Sequence, residues 1–151
     1  MKRILIALAV LLAVQVADAQ VKTPEAAKKA VESAKAAAEN PKKATKVATW
    51  TKLADSYLDA YNAPVGNAWV GATKQELALL MGNEKPVSAE NVELGGQSLV
   101  KESYENKDLY FNSNGQLVMI NVTKPVYEDA LAQAVAAYTE SVFFQNRDCY
   151  F

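Results

Sequence analysis

The chain has 151 residues, 16 Lys and Arg against 17 Asp and Glu, one Cys and no His. Without His, Ser-His-Asp and Cys-His catalysis and every His-containing metal site are excluded, and the single Cys149 permits neither an intramolecular disulfide nor a Cys-only zinc site. The near-neutral charge shows no clustered Lys and Arg of the kind phosphate binding needs, so no nucleic-acid partner is expected.

The first 19 residues read as a cleavable signal peptide. Lys2 and Arg3 give a positive start, Ile4 to Val16 is free of charge, and Ala17-Asp18-Ala19 is a small-residue cleavage site. The apolar run is shorter than the roughly 20 residues that span a bilayer. No Cys follows it, so lipid attachment there is unavailable. The expectation is a periplasmic or secreted product with no stable membrane insertion after cleavage. Its net charge is −2, since 16 less Lys2 and Arg3 leaves 14 cations and 17 less Asp18 leaves 16 anions.

Residues 20–62 predict a helical hairpin. Thr23 is an N-cap, Pro24 suits the first helical position, and Ala27, Ala30, Val31, Ala34 and Ala38 recur at helical spacing. Asn40-Pro41 ends that helix, and a second runs from about Lys43 to Tyr61. Its apolar stripe is Val47, Trp50, Ala54, Tyr57, Leu58 and Tyr61.

Residues 63–124 predict an insertion. Trp69-Val70 is expected to pack back on the hairpin. Thr73-Lys74-Gln75-Glu76 is a capping box that opens a short helix ending at Gly82, and Asn83 to Gly96 reads as turns. Ser98–Tyr104, Lys107–Asn112 and Gln116–Val122 are three strands of a small antiparallel meander, the last two joined by the hairpin signal Asn114-Gly115. In the third strand, alternation places Leu117, Met119 and Asn121 on one face and Val118, Ile120 and Val122 on the other. A last helix is predicted over 125–145, opened by Pro125, with Tyr127, Ala130, Leu131, Ala134, Ala137 and Tyr138 on one face. Residues 146–151 form a tail whose aromatics have no evident partner.

Trp50-x-x-Leu53-Ala54-x-x-Tyr57 resembles the first helix of a tetratricopeptide repeat, and Tyr127-Glu128-Asp129-Ala130-Leu131 followed by Ala137-Tyr138 resembles the second. With the signal peptide, Asn40-Pro41 and Gly66-Asn67-Ala68-Trp69-Val70-Gly71, the whole is similar to the N-terminal region of exported tetratricopeptide proteins of Gram-negative bacteria. The resemblance implies a mainly α fold of tetratricopeptide-like hairpins carrying an inserted β meander, α+β overall. It assigns close packing to Trp50, Leu53, Ala54, Tyr57, Ala130 and Ala137, and further repeats beyond the last residue, so that the chain would be a fragment.

The function this implies is a scaffold in the cell envelope that binds a protein or peptide partner, with neither catalysis nor a cofactor. A second class is a ligand module in which Tyr104, Tyr110 and Phe111 of the meander form a stacking platform for glycans. The carboxylate pairs Asp55/Asp59 and Glu102/Glu105 read as solvated faces rather than a glycosidase pair.

Overall fold

The computed structural model describes residues 21–82 and 84–148. The signal-peptide expectation for residues 1–19 and the end of the tail, residues 149–151, lie outside the described residues. The order is α1 (Pro24–Ala38), α2 (Val47–Asn62), α3 (Lys74–Leu80), β1 (Ser88–Leu94), β2 (Gln97–Ser103), β3 (Lys107–Phe111), β4 (Leu117–Val122) and α4 (Ala130–Asp148).

Helix α1 begins as its sequence dictates. The Thr23 hydroxyl accepts the Ala26 N–H at 3.3 Å, with Pro24 at the first helical position. At its end Asn40 winds the chain into a turn, its carbonyl accepting the N–H groups of Lys43 and Ala44, each at 2.8 Å. That turn occupies residues to 45, so α2 starts at Val47 rather than near Lys43. The Trp50 indole N–H, donating to the Ala44 carbonyl at 2.7 Å, fastens the turn to the helix.

Three helices share one core. Ala27, Val31 and Ala34 of α1, Leu53, Ala54, Tyr57 and Ala60 of α2, and Ala130, Ala134 and Ala137 of α4 are buried together. Alanine dominates because small side chains let helices approach closely; Tyr57 and Leu53 fill the space between them. Helix α2 lies between α1 and α4. It runs antiparallel to α4, since Tyr57 meets Tyr127, Asp55 meets Tyr138 and Trp50 meets Phe144.

The sheet is antiparallel with strand order β1-β2-β3-β4. It has one strand more than the three the sequence predicts. The extra strand, β1, falls in the stretch read as turns, and Gly95 and Gly96, with φ of 59° and 75°, close the two-residue hairpin to β2. One face packs on Ala68, Ala72 and Leu77 through Leu109, Phe111 and Leu117. A register shift at Tyr110/Phe111 puts Leu117 opposite Phe111 while Ile120 stands opposite Leu109. Leu117 and Ile120, three apart, thereby join the same core, which strict alternation had separated. The cover is tied down by Gly71 N–H donating to the Leu117 carbonyl at 2.7 Å and by the Thr73–Glu76 capping box that opens α3.

These observations overturn the tetratricopeptide-like fold class. Among the described residues there are four helices and a four-stranded antiparallel sheet, 44% helix and 21% strand, and the sheet separates the helices in the chain. The physical reason is that α4, which completes the helical core, arrives only after the sheet. Helices α1, α2 and α4 form one cluster with its own core rather than a unit stacked on copies of itself. Three local expectations also change. Trp69 and Val70 are exposed rather than packed on the hairpin. Helix α4 begins at Ala130, because Pro125 to Asp129 form an irregular turn instead of a first helical turn. It continues through the supposed tail to Asp148, and Phe144 stacks on Trp50.

Candidate interaction surface

The sequence Ala-Leu-Ala-Gln-Ala-Val-Ala-Ala-Tyr-Thr-Glu-Ser-Val-Phe-Phe-Gln-Asn of α4 favours helix through its alanines and carries one charge, Glu140, between Ala130 and Asn146. At 100° per residue, Ala130, Ala134, Ala137, Ser141 and Phe144 make one stripe. That stripe faces α2. At its edge the Tyr138 hydroxyl donates to Asp55 Oδ1 at 2.6 Å.

About a third of a turn away lies a second apolar stripe that no described residue covers. Leu131 is 46% exposed, Val135 66%, Val142 52% and Phe143 60%. Ala132, Ala136 and Thr139 fill the surface between them, all exposed. This arc carries no charged side chain. The outer side of α1 shows what a solvated helix face looks like in the same molecule, with Glu25, Lys28, Lys29, Glu32 and Lys35 within its 15 residues. A helix apolar on two sides is characteristic of one that is covered on both. Four half-exposed apolar side chains would contribute about 1 kcal/mol each if a partner removed them from water. Leu131, expected on the inner face, belongs to this outer stripe. The sequence signal was the near-absence of charge from Ala130 to Asn146.

The packing residues expected from the sequence are brought together. Leu53, Ala54, Tyr57, Ala130 and Ala137 are buried in the helical core and Trp50 packs against it. The three aromatics of the supposed ligand platform are not. Phe111 is fully buried. Tyr110 lies on the opposite sheet face, opposite Lys101, while Tyr104 sits beyond the end of β2. The Tyr104 hydroxyl donates to Glu102 at 3.2 Å; burial, then the Glu102 carboxylate, pushes the phenol up to about 12.

Of the acidic pairs Asp55/Asp59 and Glu102/Glu105, three of the four residues make structural contacts. Asp59 binds Lys22 at 2.6 Å, Asp55 accepts from Tyr138, and Glu102 pairs with Lys74 of α3. A groove of about 420 Å³ between the start of α1 and the end of the sheet is lined by Glu25, Glu84, Glu105, Val87 and Tyr104 among others. Among the described residues no three His, Cys, Asp or Glu side chains group in a way that could hold a metal ion. Compared with protein-family models, with curated proteins and with solved structures, the chain matches none.

Proposed function

We propose that this chain is an exported contact protein whose α4 outer face docks a helix of a protein partner. The observation that carries the reading is the uncharged arc of Leu131, Val135, Val142 and Phe143 on a helix whose opposite face is already packed. A partner helix laid along α4 would place its ridges over Ala132, Ala136 and Thr139, where small side chains leave a groove between larger ones. Export is supported by the charge, apolar run and small-residue site of residues 1–19. Among the described residues, no helix is long and apolar enough to cross a membrane. The likeness of Trp50 to Tyr57 and of Gly66 to Gly71 to exported tetratricopeptide proteins supports a contact role in the cell envelope, proposed here without the repeat fold.

The test is a photo-crosslinking phenylalanine analogue at Val135, introduced in the full chain and activated in the cells that make it. The expected outcome is a discrete protein adduct that the same group at Lys28, on the charged side of α1, does not give. Equal, diffuse labelling at both positions would remove the reading.

A further inference from the structure

We infer that the occupant of the α4 outer face is a second copy of this chain, seated antiparallel across a two-fold axis at Thr139; the inference rests on the contact reading above. A two-fold axis makes the same patch serve both partners, so the patch must complement itself. The sequence of α4 satisfies this. With Thr139 opposite its own copy, Val135 stands opposite Phe143 and Ala136 opposite Val142, with each pairing occurring twice. Large side chains thus meet smaller ones along the arc, and the exposed Ala132, Ala136 and Thr139 allow axes to approach to about 8–10 Å.

The charges at the two ends of α4 select the direction. Glu128 and Asp129 precede the helix and Arg147 lies in its last turn. An antiparallel pair sets each Arg147 opposite Leu131 of the other copy, about one turn from its Glu128 and from Asp129, which accepts from Gln133 of its own helix at 2.7 Å, and opposes the two helix dipoles. A parallel pair would place the four carboxylates side by side. Among the described residues Arg147 is in no ion pair; it sits over the Phe144 ring of its own helix, 4.8 Å from the centroid. The arc from Leu131 to Phe143 is only about 18 Å long at 1.5 Å per residue, so the interface belongs to the small class and the dimer forms in a concentration-dependent way.

The experiment uses the full chain expressed with its export signal, purified after export, with Cys149→Ser in every cysteine variant. Sedimentation of the protein without cysteine changes should show a monomer–dimer equilibrium, and Val135→Glu should move its midpoint at least about tenfold to higher concentration. Under mild oxidation Thr139→Cys should cross-link to itself, whereas Ala132→Cys, which faces Asn146 of the other copy, should not. Arg147→Glu should weaken the dimer and Glu128→Lys with Asp129→Lys should restore it. Self-cross-linking of Ala132→Cys, with or without Thr139→Cys, would overturn the antiparallel seat. A chain that stays monomeric to roughly 1 mM overturns the second copy, whatever its variants do. If the photo-reactive group at position 135 then captures a different protein, the contact reading survives without the dimer; if it captures none, both fall.

Discussion

Phe144 stacks on Trp50 with ring centroids 6.3 Å apart and planes inclined by 10°, which anchors the C-terminal turns of α4 to the first turns of α2. The same indole holds the Ala44 carbonyl, so one side chain joins the interhelical turn, α2 and α4. Phe144→Ala should therefore cost about 1–2 kcal/mol, the loss of partial burial plus an aromatic pair. The loss should be local as well as global. Amide exchange should quicken in residues 141–147 while Ala130 to Ala137 stay protected, and equal protection throughout α4 would contradict the anchor.

Tyr138 and Asp55 link the same two helices further along. The hydrogen bond to Asp55, then burial, holds the Tyr138 phenol above its ordinary 10.0. A raised phenol pKa favours the neutral form in the folded state. Its contribution is thus fully present below pH 10 and is lost as pH rises through the folded value. Tyr138→Phe should be less stable than the parent near neutrality, and the two stability curves should converge above pH 10. Denaturant unfolding between pH 7 and 11 reads this; parallel curves would show that the phenol does not titrate with folding.

The acid limb has a different origin. Thr73 donates both its backbone N–H, at 2.8 Å, and its hydroxyl, at 2.9 Å, to Glu76 Oε2, and these bonds hold the carboxyl below its ordinary 4.5. A depressed carboxyl stabilises the fold above the unfolded pKa, and this is lost as pH falls through the folded value. Glu76→Gln keeps an acceptor for the cap but cannot titrate. Its thermal midpoint should fall less steeply than the parent's below about pH 4.5, and identical slopes would assign the acid loss elsewhere.

The capping box and α1 were legible because their signals are local: a cap residue, a proline, a glutamate three positions on. Strand β1 was not. Ser-Ala-Glu-Asn-Val-Glu-Leu is an edge strand exposed along most of its length, so burial imposes no apolar alternation on it. Only Gly95-Gly96 marked it, through a turn that needs positive φ at both positions. The inner face of β4 was misread because a bulge changes parity without leaving a residue-type signature at Leu117 or Ile120. The open side of α4 was misread for another reason. Periodicity finds an apolar stripe but does not tell one covered stripe from two, and Leu131 sits at the boundary between them.

Lys107 and Glu84 form the most unequal ion pair among the described residues. The ammonium donates to Glu84 Oε2 at 2.7 Å, with the Lys107 side chain 1% exposed and that of Glu84 51% exposed. The Tyr104 ring lies 5.7 Å from the nitrogen and Gly66 passes close by. Removing either partner breaks the same bond but leaves different debris. Glu84→Ala strands a cation in a buried site and should cost about 2 kcal/mol, moderated by the aromatic ring. Lys107→Met keeps the length of the stem, discards the charge and leaves Glu84 free to hydrate, so it should stay within about 1 kcal/mol of the parent. The double variant should then match Lys107→Met, because no buried cation remains to be neutralised. Urea midpoints at pH 7 give all three values. Lys107→Met proving the costlier single change would mean that the ammonium is held by more than this carboxylate and ring.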